Sequence, residues 1–323
     1  MDPRLLRSPV AALFGPQVPG SERTVRVAVE QELFAMDLYS GGSVAPAPVR
    51  AATAGGWYAL WLGFEPGGQV ELSLPPSPTP AAAAGRLSAA TAALGRDLLA
   101  QGIVLDARPV RRCDPATPRH LHTPRYDAME RHLDTVGPAG RRMMRATAST
   151  QACLDWWPGR AGAEQWRLLL AGPFLAAATT RTTGPAGRLA TWLAVDPGRT
   201  AFDDRLLHGD DPVAAYVSFA AGATDFLRQG PAAHLSTLFP PVRPRGRYLE
   251  IRFPDARPAR EVGALLHGLA ALLYDDERRR TALASLGPER PRLAEHWAAA
   301  AAGTGDAERG RALLSDGPRR AAA

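Results

Sequence analysis

The spacing of apolar and polar side chains changes period several times along this 323-residue chain. V-R-V-A-V-E-Q-E-L-F (25–34) alternates them with the two-residue period of a half-buried strand. W-Y-A-L-W-L-G-F (57–64) predicts a second strand, leading through the P-G-G turn at 66–68 into V-E-L-S-L (70–74). An Ala/Leu helix is expected over 82–101, then a short strand at 103–107, a Pro/Arg/His-rich loop over 108–124 and a helix over 125–136. Alternation returns at 146–155, with Thr147, Ser149, Gln151 and Cys153 on one side. Further helices are predicted at 163–178, 211–228, 258–274 and 276–300. The late strand R-Y-L-E-I-R-F (247–253) puts Glu250 and Arg252 on one face.

Residues 1–22, punctuated by Pro and Gly, read as a loose arm, and 301–323 as a frayed tail. No internal repeat or linker divides residues 23–300, which are expected to form one domain. Strands alternating with helices of irregular length, several strands having one polar face, predict an α+β fold. Its antiparallel sheet would carry helices on one face and a charged basin on the other.

Composition narrows the chemistry. The chain is 46% hydrophobic and 22% charged, as globular proteins are. Every one of its 38 basic Lys+Arg positions is arginine, and asparagine is absent as well. A phosphate-binding loop of the Walker type and a lysine Schiff base are therefore ruled out; phosphates would have to be met by arginine and metal. The net charge of +6 suits anionic small molecules. The arginines are dispersed without aromatic interleaving, which argues against nucleic acid as a partner. Two cysteines without paired spacing, Cys113 and Cys153, point to a reducing compartment. No signal segment and no membrane-length apolar run is seen, so a cytoplasmic location without membrane contact is expected.

Glu30 and Glu32 lie two residues apart in one strand, so their carboxylates share a face and repel. Alone, such a pair is more often a solvated face than a site. Together with Glu65, Glu71, Gln151, Glu250 and Arg252, all in or beside strands, it describes a set of hard oxygen ligands of the kind Mg²⁺ or Mn²⁺ prefers. His120, His122 and His132 lack the spacing of a zinc site. Met143 and Met144 read as core, and Cys153 as a small buried residue rather than a nucleophile.

Four stretches carry a resemblance: E-P-G-G-Q-V-E-L-S (65–73), R-Y-D-A-M (125–129), G-R-R-M-M-R-A-T-A-S-T-Q-A-C-L-D (140–155) and H-L-S-T-L-F-P-P-V-R-P-R-G-R-Y-L-E-I-R-F-P-D-A-R-P (234–258). They resemble glutamate–cysteine ligases of the plant-type and actinobacterial branch, which includes the enzyme that opens ergothioneine biosynthesis. The resemblance runs from about residue 25 to 300. It implies a glutamine-synthetase-like curved sheet whose concave face holds ATP, glutamate and divalent metal. The reaction it implies is ATP-dependent joining of the glutamate side-chain carboxylate to the amine of cysteine through an acyl phosphate.

By this resemblance Glu30, Glu32, Glu71 and Glu250 would be metal ligands, Gln151 would stand beside them at the nucleotide, and Glu65 would line the basin as a catalytic group. Arg252 would supply fixed positive charge to the phosphates. Arg188, four residues before Trp192, would clamp the glutamate α-carboxylate, and Arg125 and Tyr126 would lie at the substrate pocket. Arg199, in D-P-G-R-T (196–200), matches another arginine of the family that meets substrate. Three departures concern the acceptor side: Cys153 replaces a usual asparagine, T-T-R-T-T-G-P (179–185) replaces an Asn-Ser-Pro segment, and the stretch before His234 is short. They leave open a sister ligase with another amine acceptor. A non-catalytic paralogue that binds nucleotide or glutamate is disfavoured by the retained, mutually repelling carboxylates.

Overall fold

The computed structural model describes residues 1–15, 23–111 and 117–315. Its strands are β1 (Val27–Asp37), β2 (Leu62–Phe64), β3 (Val70–Ser73), β4 (Ile103–Asp106), β5 (Thr150–Asp155), β6 (Val242–Arg245) and β7 (Tyr248–Ile251). They form an antiparallel sheet in the order β2-β3-β1-β5-β7-β6, with β4 paired to the far end of β1. The fold is α+β, as the strand and helix pattern predicts.

Alternation along the strands gives the sheet two unlike faces. Val27, Val29 and Ala35 of β1 face backwards with Leu72, Leu154 and Leu249 into the hydrophobic core. The helices Pro80–Leu99 and Ala259–Tyr274 pack on this side and bury Leu87, Leu94, Leu98, Val262, Leu266 and Leu269. Each such side chain is worth about 1.5–3 kcal/mol when removed from water. Thr79 starts the first of these helices by accepting from the Ala82 amide at 3.1 Å, with Pro80 in the first turn. On the other face the shorter helices Pro124–Val136, Ala139–Ala146 and Arg188–Leu193 roof a cavity over the strands.

Several expected elements take other forms, each for a local reason. Of 57–64 only Leu62–Phe64 is strand; a single 3-10 turn spans Ala59–Trp61. Tyr58 is fully buried and its hydroxyl donates to Asp97 at 2.5 Å, which draws the chain towards the helix behind the sheet. The ladder expected from 146 begins at Thr150, and the Arg/Met-rich residues before it form the unforeseen helix Ala139–Ala146. The helix expected over 163–178 is split into Gly159–Arg167 and Gly172–Thr179 by the 3-10 turn Leu168–Ala171, with Pro173 in the first turn of the second helix. That over 276–300 is interrupted by the proline-containing turn Gly287–Arg292. The helix expected over 211–228 stops at Gly222. β6 was not foreseen because Pro244 disguises it; a proline is tolerated there because β6 is an outermost strand.

Both chain ends carry structure where looseness was expected. Pro3–Leu13 is a helix whose Leu6 and Val10 are completely buried and which packs on Pro212–Gly222. Residues 16–22 lie outside the described residues. Near the other end Ala307–Leu314 is a helix packed on Gly172–Thr179, while 316–323 again lie outside the described residues. Amphipathic spacing too short to stand out in a window explains both misreadings. Among the described residues no helix is long and apolar enough to cross a membrane.

The contact of Ala307–Leu314 is close enough to test. A β-carbon at Gly310 would lie 2.0 Å from the Phe174 carbonyl oxygen. Gly310→Ala is therefore expected to cost about 1–3 kcal/mol by overpacking, measured as a lower Tm; an unchanged Tm would contradict the docking of this helix.

Candidate active site

The register of the sheet assembles one end of the cavity from acid. Glu32 of β1 lies directly opposite Glu71 of β3, and Glu30 lies opposite Ser73 on one side and Gln151 on the other. Glu65 enters from the turn after β2, where the Gly68 amide donates to the Glu65 carbonyl at 2.8 Å. Carboxylate oxygens of Glu32, Glu65 and Glu71 all come within 4.8 Å of one another. Glu32 accepts from the Ser149 amide at 2.7 Å and from Gln151 Nε2 at 3.0 Å; Glu71 accepts from Ser73 Oγ at 2.7 Å.

Burial, and after it the charges of Glu32 and Glu71, pushes the Glu65 carboxyl well above the usual carboxylate range. Glu32 is raised too, by burial first, against the opposing pull of Arg188. Three carboxylates, with no nitrogen or sulfur in the group, fit a hard divalent cation such as Mg²⁺ or Mn²⁺. Of the four expected metal ligands, Glu32 and Glu71 are in this group, and Glu65, expected as a catalytic group, joins them.

Glu30 and Glu250 stand apart. Burial and the charges of Glu250 and Glu71 push Glu30 up to about 7, and Cys153 Sγ lies 3.9 Å from it. Burial and Glu30 together push the Cys153 thiol well up, so it is no nucleophile at neutral pH. Cys113 lies outside the described residues.

Glu250, on β7, is enclosed by arginine. Arg243 makes a two-pronged contact with it, Nε and Nη2 each at 2.9 Å. Arg252 Nε is 3.1 Å away and Arg245 Nε 3.4 Å. Burial alone would raise the Glu250 pKa; Arg252 and Arg243 outweigh it and hold it below the usual range. Both oxygens are thus engaged by guanidinium, and the structure does not bring Glu250 to the three-carboxylate group. Arg252 also donates to Gln151 Oε1 at 3.2 Å, and its Nη1 is buried without a hydrogen-bond partner. Three guanidiniums around one carboxylate leave surplus positive charge at this end.

The cavity between the two ends has a volume of about 530 Å³. Arg188, Arg125 and Tyr126, all expected at substrate, line it, with Met129, Leu133 and Phe239 supplying apolar wall. Arg188 is buried and spends Nη1 and Nη2 on the carbonyls of Phe253 and Arg252, at 3.1 and 3.0 Å, while its Nε has no partner. Arg125 Nη2 donates to the Ser236 carbonyl at 2.8 Å, and its Nε is likewise unpartnered.

Arg199 is a correction. It is fully buried, pairs with Asp196 at 3.1 Å, donates to Thr237 Oγ1 at 2.7 Å and lies over the Phe226 ring. Its charge is spent inside the scaffold, and it is absent from the cavity wall. Arg243 and Arg245, which do line the wall, were missed. Their two-residue spacing in V-R-P-R, matching that of Glu250 and Arg252, was the available signal.

Comparison with known proteins gives the family. Residues 26–323 match glutamate-cysteine ligase family 2. The chain is 33% identical over 271 residues to the glutamate–cysteine ligase EgtA of Mycolicibacterium smegmatis, covering 69% of this chain and 62% of that one. To the EgtA of Mycobacterium tuberculosis it is 30% identical over 290 residues, covering 74% and 64%. It therefore spans less than two thirds of the length of either relative. A bifunctional glutathione synthetase from Pasteurella multocida superposes on 97% of this chain and 49% of its own with a TM-score of 0.50 at 14% identity, a likeness of fold. With its sequence match running through the strands that carry both poles of the cavity, the chain belongs to glutamate-cysteine ligase family 2.

Proposed function

We propose that this protein joins the side-chain carboxylate of glutamate to the amine of cysteine at the expense of ATP, serving the synthesis of ergothioneine or a related thiol. The observation that carries this reading is the polarity of the site: Glu32 and Glu65, on the cavity wall, converge with Glu71, and Arg243, Arg245 and Arg252 line the same cavity. Family membership supports it, and the thiol destination follows the resemblance of the motifs.

In this reading a glutamate γ-oxygen attacks the γ-phosphorus of ATP, the bond to ADP breaks, and γ-glutamyl phosphate forms. The amine of cysteine then attacks the acyl carbon and inorganic phosphate leaves, taking up the amine's proton. Glu32, Glu65 and Glu71 would hold Mg²⁺ or Mn²⁺, which when bound neutralises phosphate charge and polarises the transferring group. Arg252, half-buried and held by Glu250 and Gln151, offers its free Nη1 to charge that develops on the phosphoryl oxygens. Arg188 and Arg125 each keep a buried, unpartnered Nε at the cavity wall, where a substrate carboxylate would satisfy it. Fixing both reactants against one wall supplies orientation, which is a large part of the catalytic effect in such transfers.

Purified protein with Mg²⁺, ATP, glutamate and a panel of amines should release phosphate with cysteine and yield a product of the mass of glutamate plus cysteine less water. Turnover with a different amine alone would keep the ligase chemistry and replace the acceptor; silence with every amine would refute the ligase reading. Glu71→Gln should abolish turnover and weaken Mn²⁺ binding by about tenfold or more. In chelator its Tm should be equal or higher, because one of the repelling charges is gone; retained Mn²⁺ affinity would remove Glu71 from the metal group. Arg188→Ala should raise the KM for glutamate more than that for ATP, and the opposite order would reassign Arg188.

A further inference from the structure

The hairpin that presents Arg243 and Arg245 turns at Gly246 and Arg247, with Gly246 at φ +72, the glycine-first form suited to two-residue hairpin turns. β6 is outermost in the sheet, so among the described residues no further strand steadies this turn from outside. The anchor comes instead from the beginning of the chain. The Gly246 amide donates to the Leu13 carbonyl at 2.6 Å, at the end of the helix Pro3–Leu13. From the other side the Trp156 indole donates to the Gly246 carbonyl at 2.8 Å. Gly15, at φ +73, lies so near that a β-carbon there would be 2.7 Å from the Gly246 oxygen. Between these contacts Phe14, almost completely buried, meets Trp156, Trp166 and Tyr216 edge-on, with ring centroids 5.4, 4.9 and 5.7 Å away. Residues 3–15 precede the part of the chain that matches the family, which begins at residue 26.

We propose that Pro3–Gly15 is a positioning element of the site: by pinning the 246–247 turn from beyond the sheet edge, it sets where Arg243 and Arg245 meet the polyphosphate of the bound nucleotide. The second half of this statement rests on the ligase reading above. The physical need is plain. Both arginines sit on a four-residue edge strand, and a displacement of about 1 Å in a charge-binding group costs up to about a hundredfold in rate. Held at Gly246 through both its amide and its carbonyl, the turn cannot slide along the sheet without breaking two hydrogen bonds and lifting Phe14 from its aromatic cage.

The test uses the full chain with Phe14→Ala, Gly15→Ala, the conservative Phe14→Leu, and Gly310→Ala as a destabilised control far from the hairpin. Two measurements are read together: hydrogen exchange of residues 242–251, and the KM for ATP beside kcat. Phe14→Ala and Gly15→Ala should speed exchange in the hairpin and raise the ATP KM by about tenfold. Phe14→Leu should restore most of both, and Gly310→Ala should lower Tm while leaving the ATP KM unchanged. A fall in Tm without faster hairpin exchange, or faster exchange at an unchanged ATP KM, overturns the proposal. Faster hairpin exchange in a protein that turns over no ATP upholds the pin and refutes the ligase reading, so the two fail separately.

Discussion

Two carboxylates placed directly across a strand pair, Glu32 on β1 and Glu71 on β3, oppose the folding of the sheet that carries them. Much of the surrounding chemistry answers that repulsion. The Ser149 amide and the Gln151 side chain solvate Glu32, Ser73 solvates Glu71, and burial with the charges of Glu32 and Glu71 raises the Glu65 carboxyl well above its usual range. The apolar back face, with Val29, Leu72 and Leu154 against two long helices, makes the sheet stable enough to tolerate the strain on its front. A polar group so costly to assemble is most simply understood as a place where a cation belongs.

The same sheet separates charge along its length. Moving from β3 through β1 to β7, the front face passes from uncompensated acid to arginine in excess, with Gln151 bridging them by donating to Glu32 and accepting from Arg252. Trp192 reinforces the bridge. Its ring lies 5.1 Å from the Arg188 guanidinium and 5.8 Å from that of Arg252, and its indole donates to the Phe239 carbonyl. One aromatic platform thereby orients both guanidiniums, where loss of the ring would release the two together.

Which features could be read from the sequence depended on how far each relies on local pattern. Strand parity set Glu30 beside Glu32, and Glu250 beside Arg252, on one face of their own strands without coordinates, because a two-residue period leaves no choice of side. Parity says nothing of distance. It could not show that Glu65 joins Glu32 and Glu71, or that Glu250 is taken by arginine from a strand hidden behind Pro244. Arg199 failed for a related reason: a motif arginine in a turn can face a substrate or a buried Asp196, and only the packing of Phe226 and Thr237 decides. The short helices at the two ends escaped notice because their burial comes from distant partners, Pro212–Gly222 and Gly172–Thr179, that no window around them contains.

The margins of the sheet bear on how the protein behaves in a crowd. At one margin β2 is only three residues long; at the other β6 carries a proline in mid-strand between two arginines. Neither offers the long, flat, uncharged row of amides and carbonyls that recruits a foreign strand. The open rim beside the arginines can therefore stay accessible to small anions without becoming a seed for fibrils.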